Sequence, residues 1–291
     1  MYNIPCMKSG MILYNKKTGI TSFDALKDIK RALGTGKVGH TGTLDKFASG
    51  LLIVLVGRAL RLSKWFLNCD KKYRGKICFG SETDTLDPEG EVIAEAALPS
   101  CEDVKNVLSR FTGEILQEPP AYSAIHVNGQ RASSLARNGA MPEMKKRPVT
   151  VYELELLSWQ PPYADIFVHC SSGTYIRSLA RDIALGAGSR AHLKELTRTQ
   201  VAGFTLEDVN ACDVKPISKD VISNLGLPYF DVNKNEKEKI LHGKPLSFVP
   251  QSPDLNSFAV KSAAVFEGED LIAVIEKEDG RWKYGCVLSG S

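Results

Sequence analysis

Across residues 11–186, stretches with the two-residue alternation of a β-strand take turns with stretches at helical spacing, and no repeat or low-complexity tract interrupts them. The chain must therefore combine helices with strands. A short strand is expected at 11–14. Thr21 or Ser22 then caps a helix in which Phe23, Leu26, Ile29 and Leu33 recur near helical spacing, and Gly34 ends it. Residues 72–79 read as a strand with Tyr73, Gly75, Ile77 and Phe79 on one face and Arg74 and Lys76 on the other. A second helix follows Ser100, with Asp103 in the capping-box position and Val104, Val107, Leu108 and Phe111 on one stripe. Tyr152, Leu154 and Leu156 alternate with Glu153 and Glu155, and 165–170 is the expected antiparallel neighbour across the turn at Gln160-Pro-Pro. A third helix starts near Thr174 and carries Ile176, Leu179, Ala180 and Ile183 before Gly186.

The 291 residues are 43% hydrophobic and 24% charged, which excludes disordered and collagen-like chains and leaves room for one large domain or two unequal ones. The longest apolar stretch, around Leu51 to Val56, falls far short of the roughly 20 residues that span a bilayer. Residues 1–11 lack an apolar signal core, so a cytoplasmic protein with no membrane partner is expected. Seven scattered cysteines without a C-x-x-C pair indicate neither a disulfide framework nor a zinc site; they are expected to be reduced and mostly buried. The Gly-Leu-Pro and polar stretch at 225–235 marks the expected boundary between domains 1–230 and 231–291. Beyond it come a helical stretch ending at Gly243 and two strand-like runs, 271–275 and 282–288, joined through the hairpin signal Asp279-Gly280.

Charge is unevenly shared. Residues 231–291 hold 8 Lys and Arg against 10 Asp and Glu, leaving 29 against 24 before them. The basic residues cluster as Arg58, Arg61, Lys64; Lys71, Lys72, Arg74; and Lys145, Lys146, Arg147, with Trp65, Phe66, Tyr73 and Tyr122 interleaved. That placement suits either a polyanion partner or a merely solvated face.

Three motifs are decoys. Residues 34–39 satisfy G-x-G-x-x-G, but a helix precedes them and no helical pattern follows, the reverse of a dinucleotide turn. Residues 84–90 are acidic, yet their spacing is not that of a calcium loop, and a surface turn is expected. The five histidines are not paired at metal-ligand spacing, so no metal and no cofactor is expected. The segment from Val38 to Leu52 differs: a Gly/Thr-rich loop ends in one carboxylate, Asp45, and enters an apolar run. Its free N–H groups could hold Asp45 ionised as a nucleophile or anion. Alternatively, Asp45 could cap a helix or turn beginning at Phe47.

The string G-H-T-G-T-L-D from Gly39 to Asp45, followed by Ala48-Ser-Gly-Leu-Leu, resembles the catalytic signature of the TruB family of tRNA pseudouridine-55 synthases. The rest agrees in order. Gly10 to Lys16 leading to Gly19-I-T-S-F-Asp24, the Lys72-Tyr73 pair, Pro119-P-A-Y-S-Ala124 with Gly129, Arg131 and Ala136-Arg137-x-Gly139, Gly173-T-Y-I-R-Ser178, and Leu196-x-Arg198-Thr199 are similar to further family segments. The chain departs from the pattern at Lys46 and Lys17, where proline is usual, and at His126, where lysine is usual.

The resemblance implies an α+β fold: a mixed, mainly antiparallel sheet flanked by helices, with a small β-rich PUA-like C-terminal module. It implies a monomeric, cofactor-free enzyme that isomerises uridine in the T-arm of tRNA. Asp45 would be the catalytic carboxylate, Arg177 its ion-pair partner, and Tyr73 a ring stacked on uracil with a hydroxyl for proton transfer. His40 would fill the stack left by the extruded base, and Leu196 would line the pocket. Tyr175 would touch RNA or pack its own helix. Arg177 carries an independent hint: in the first turn of a helix starting near Thr174 a cation is mildly unfavourable, so an anion should be near. A noncatalytic RNA-binding protein on the same scaffold is the competing expectation, and the intact set of Asp45, Tyr73 and Arg177 argues against it.

Overall fold

β1 (Gly10–Lys16) delivers the chain to Thr21, which starts α1 (Ser22–Leu33) as a capping box: its hydroxyl accepts the Asp24 N–H at 3.0 Å while the Asp24 carboxylate accepts from Thr21. Gly34, at φ +61°, ends the helix in the left-handed conformation that glycine adopts without strain. The computed structural model of the chain describes residues 9–209, 213–246, 249 and 260–288. In order there follow β2 (Val38–His40), β3 (Ser49–Val56), α2 (Ser63–Leu67), β4 (Lys71–Phe79), β5 (Ser81–Thr83), β6 (Val92–Glu95), α3 (Cys101–Leu108) and β7 (Gly113–Gln117). A small hairpin, β8 (His126–Val127) and β9 (Gln130–Arg131), and α4 (Ala132–Arg137) lead to β10 (Arg147–Gln160), β11 (Tyr163–Cys170), α5 (Ile176–Gly186), β12 (Ala191–Val201) and β13 (Phe204–Thr205). The C-terminal part holds α6 (Lys219–Asn224), β14 (Tyr229–Asp231), α7 (Lys234–Leu241), β15 (Ser262–Glu267), β16 (Asp270–Glu278) and β17 (Arg281–Val287).

Nine strands form one sheet in the order β1-β3-β12-β4-β11-β10-β7, with β13 beside β12 and β2 beside β3. Only β3 and β12 pair in parallel; the other pairs are antiparallel. The fold is thus α+β with a mixed, mainly antiparallel sheet. β3 is covered on both faces: Leu52 and Val54 meet α1 through Ala25, Leu26 and Ile29, while Leu51, Ile53 and Leu55 join Leu62, Trp65 and Phe66. This is why it reads as an unbroken apolar run. β4 alternates as expected, with Tyr73, Ile77 and Phe79 buried against Leu179, Ala180 and Ile183 of α5 and Val104 and Val107 of α3.

The C-terminal strands make a second sheet, β14-β15-β16-β17, whose Ala264, Phe266 and Val274 share the Trp65–Phe66 core. Lys64 bonds Glu276 and Arg61 donates to the Val287 carbonyl across the same junction. The β16–β17 turn at Asp279-Gly280 has positive φ at both residues, 50° and 75°, the twist that a two-residue hairpin needs. Among the described residues no helix is long and apolar enough to cross a membrane.

Several expectations are corrected. Phe23 is exposed, because the stripe that α1 buries is Ser22, Ala25, Leu26 and Ile29; Lys27 and Lys30 instead place ammonium groups over the Phe23 ring. α5 starts at Ile176 with Tyr175, not Thr174, as its N-cap residue. A distant side chain clamps the residue before the helix: Gln117 accepts the Tyr175 N–H at 2.8 Å and donates to its carbonyl at 3.1 Å. Of the thiols, Cys170 is buried but Cys69, Cys78, Cys101 and Cys286 are half-buried; Cys6 and Cys212 lie outside the described residues.

Candidate active site

The loop from Thr41 to Ala48 leaves β2 and is pinned at both ends by buried groups. Lys16, fully buried at the end of β1, donates to the Ile20 carbonyl at 2.7 Å and the Ala48 carbonyl at 2.6 Å. The Ser22 hydroxyl donates to the Leu44 carbonyl at 3.0 Å and accepts the Leu44 N–H at 2.9 Å. These contacts fix the backbone on either side of Asp45. Its carboxylate accepts no hydrogen bond from the loop's own N–H groups among the described residues, contrary to one expectation, and caps no helix, contrary to the other.

Arg177 holds it instead. From the first turn of α5, Arg177 Nη2 donates to Asp45 Oδ1 at 3.3 Å, and Nε lies 2.9 Å from Oδ2 as an ion pair whose N–H is not aligned for a hydrogen bond. The remaining donors are also engaged: Nη1 with the Thr85 carbonyl at 2.7 Å and Asp87 Oδ2 at 3.3 Å, and Nη2 with the Tyr122 carbonyl at 3.0 Å. The guanidinium is 5% exposed while the Asp45 side chain is 37% exposed, so the cation sits behind the carboxylate and leaves it facing the open side. Burial pushes the Asp45 carboxyl above its ordinary pKa, Arg177 opposes that, and the Asp87 carboxylate adds to the upward push.

Asp87 corrects the expectation of a surface turn at 84–90. Leu86, at φ +61°, is buried and its carbonyl accepts from Leu193 of β12 at 3.1 Å, which draws the turn inward. Asp87 Oδ1 accepts from Thr85 Oγ1 at 2.6 Å and from the Glu89 N–H at 3.0 Å. Gly90 is obligatory, since a Cβ there would lie 2.1 Å from Asp84 Oδ1. Both oxygens of Asp87 are committed, so it is not a second free carboxylate able to activate water, as a hydrolytic glycosidase requires. The chain pattern 84–90 carried the signal, an Asp pair closed by a glycine, but only tertiary structure shows what it grips.

The other expected residues lie around this centre. Tyr73 and Leu196 belong to one buried cluster with Leu44, Phe47 and Ala48 of the Asp45 loop. Burial pushes the Tyr73 phenol up to about 12, against the pull of Arg198. Tyr175 is half-buried beside Ser123, Arg177 and Asp45, its phenol raised mainly by burial. His40 is half-buried at the end of β2; burial and the nearby Arg198 lower its pKa, and its Nδ1 has no partner among the described residues. Three supporting groups escaped sequence reasoning as site residues: Lys16, Asp87 and Arg198. Each was visible only as a letter inside or between motifs. Lys46 adds a contact of this chain's own, an ion pair with Glu89 at 3.1 Å that links the Asp45 loop to the Asp87 turn.

The arrangement is an oriented, partly exposed carboxylate beside a buried phenol set among apolar side chains, suited to chemistry at a sugar carbon. The family described as TruB family pseudouridylate synthase (N terminal domain) matches residues 30–176. The tRNA pseudouridine synthase B of Borreliella afzelii (strain PKo) is 42% identical over 287 residues, covering 97% of this chain and 100% of that protein. The protein of the same name from Aquifex aeolicus (strain VF5) is 40% identical over 250 residues, covering 81% and 86%. Among solved structures, a chain of an archaeal box H/ACA sRNP complex superposes with a TM-score of 0.69 at 22% identity, over 97% of this chain and 86% of that one, a likeness of fold. With the pinned carboxylate inside the matched segment, its buried arginine immediately after that segment, and a relative 42% identical over 97% of the chain, the chain belongs to the TruB family of pseudouridylate synthases.

Proposed function

We propose that this protein isomerises uridine 55 in the T-arm of tRNA to pseudouridine, with Asp45 acting on the sugar. The observation that carries the reading is the side-on pairing of Asp45 with a buried Arg177, which orients one carboxylate and leaves it open to a ligand. In the reaction the bond from N1 of uracil to C1′ breaks, the ring turns, and C5 bonds to C1′; C5 gives up its proton and N1 gains one. Asp45 can stabilise or attack the sugar cation that cleavage develops. Tyr73, beside the pocket, is assigned to stacking on uracil and to the proton step, and Leu196 to the pocket wall.

A uridine inside a folded T-arm has to leave its stack before reaching Asp45. His40, its pKa lowered by burial and by Arg198 and its Nδ1 without a partner among the described residues, is assigned to the vacated place. Tyr175 is assigned to the RNA-facing rim. Residues 1–230 would form the catalytic domain and 231–291 a PUA-like module that binds RNA away from the pocket; β14 spans that division, so the two parts are not separable at a flexible link. The enzyme is read as a cytoplasmic monomer that needs no cofactor.

The test is direct: purified full-length protein is incubated with an unmodified tRNA transcript, and pseudouridine is mapped by chemical adduct and reverse transcription. A stop at position 55 that Asp45→Ala abolishes is expected. Modification at another position, or turnover by Asp45→Ala above background, would overturn the assignment.

A further inference from the structure

Arg198 is a charged side chain that the chemistry above does not use, and it is only 2% exposed. It sits where three strands meet. Parallel pairing of β12 with β3 sets it opposite Gly50, and antiparallel pairing with β4 sets it opposite Tyr73. Its Nε donates to the Leu51 carbonyl at 2.7 Å and its Nη2 to the Gly42 carbonyl at 3.1 Å, so the two carbonyls it holds bracket the loop that carries Asp45. Tyr73 is its direct cross-strand neighbour, both side chains are buried, and the Arg198 charge acts on the Tyr73 phenol.

Among the described residues no carboxylate pairs with this guanidinium. Lys16 from β1, Lys71 from β4 and His40 from β2 face it instead, and its charge lowers the pKa of each. A buried cation without a counter-ion costs stability, and an apolar side chain of similar volume would fill the space at less expense. What an apolar side chain could not do is bond two backbone carbonyls at once while lying beside the Tyr73 phenol, which needs the planar fork of a guanidinium.

We propose that Arg198 is a positioning residue that fastens Tyr73 to the Asp45 loop, and so sets the Tyr73 hydroxyl relative to the Asp45 carboxylate across the uridine pocket. This rests on the assignment of Tyr73 to that pocket. Removal of the fork should leave RNA affinity in place, because Arg198 is buried and touches no surface, while the chemical step slows.

The experiment compares full-length wild type, Arg198→Lys and Tyr73→Phe. Single-turnover rate and affinity are measured with an unmodified tRNA transcript, and the ζ-13C resonance of Tyr73 is identified as the one absent from Tyr73→Phe. Arg198→Lys is expected to lower the rate about tenfold or more, to leave affinity within about twofold, and to move the Tyr73 resonance. An unchanged rate, or a lowered rate with the Tyr73 resonance unmoved, would overturn the proposal. Should Arg198→Lys not fold, the contact is read from the other side: exchange of the Arg198 guanidinium protons should quicken in Tyr73→Phe, and unchanged exchange overturns the proposal equally. Wild-type turnover matched by Tyr73→Leu would instead remove Tyr73 from the pocket, a failure of the underlying assignment that the two resonance measurements distinguish from a failure of the contact.

Discussion

Asp45 and Asp87 are held by opposite sides of one guanidinium: Arg177 Nε lies 2.9 Å from Asp45 Oδ2 and Nη1 lies 3.3 Å from Asp87 Oδ2. The two carboxylates differ in access, the Asp45 side chain 37% exposed and the Asp87 side chain 7%, closed in by Thr85 and Glu89. On the proposed function, Asp45 is the one that reacts and Asp87 the one that helps hold Arg177 in place.

Asp87→Asn keeps the shape of that second hold and removes its charge. Turnover is expected to fall about ten- to a hundredfold, equivalent to roughly 1.4–2.8 kcal/mol of barrier, with tRNA affinity nearly unchanged. The pH dependence has a definite sign. The Asp87 charge helps push the Asp45 pKa upward, so its removal should move the acid limb of the rate profile to lower pH. Single-turnover rates measured across the acid range check both, and an acid limb moved upward would contradict the arrangement.

Lys46 and Glu89 are both about half exposed, and pairs of this kind contribute about 1 kcal/mol or less. Lys46→Glu should therefore barely change the melting temperature, yet lower turnover severalfold by repelling the turn that holds Asp87. The charge-swapped double variant, Lys46→Glu with Glu89→Lys, should recover most of the loss. A swap that recovers nothing would mean that Lys46 acts on RNA rather than on Glu89.

Lys16 gives a stability signature. Burial lowers its pKa from 10.5 to about 8, so between those values the unfolded chain binds the extra proton. Stability from this group therefore rises with pH across about 8 to 10.5, since the folded protein no longer holds a buried charge. Urea unfolding of wild type and Lys16→Met over that range should show the difference shifting in favour of wild type as pH increases; a shift the other way would show the folded ammonium to be favoured.

Gly50 adopts φ +109°, and a Cβ there would lie 2.3 Å from the Arg198 carbonyl oxygen and 2.7 Å from its nitrogen. Gly50→Ala is expected to destabilise the protein by at least about 2–3 kcal/mol, from backbone strain together with separation of β3 from β12. Chemical denaturation, or loss of soluble protein, measures it.

Much of this was legible in the letters. β4 alternates cleanly because one face meets α5 and the other is left open, and capping boxes at Thr21 and Ser100 need only local atoms. Asp45, Tyr73 and Arg177 could be named from a motif resemblance, and the unfavourable place of Arg177 in a first helical turn already called for an anion. The strands β3, β12 and β15 were not resolved as such, because strands buried on both faces, or paired far away in sequence, lose the alternation that marks them. Asp87 escaped because its turn looks polar until Leu86 is seen to draw it inward, and Arg198 because nothing local distinguishes a buried arginine from an exposed one.

The guanidinium of Arg177 has a consequence for any attempt to divide the protein. Its partners come from the Asp45 loop, the turn at Thr85 and Asp87, and Tyr122, and its own helix lies later still, so four separate stretches of chain must arrive together before Asp45 is aimed. Loosening any one of them frees the arginine to follow the others. Pseudouridine formation is then an assay of native tertiary order: a partly melted protein, or two fragments that associate only loosely, should keep its helices and its hold on RNA and still make no product.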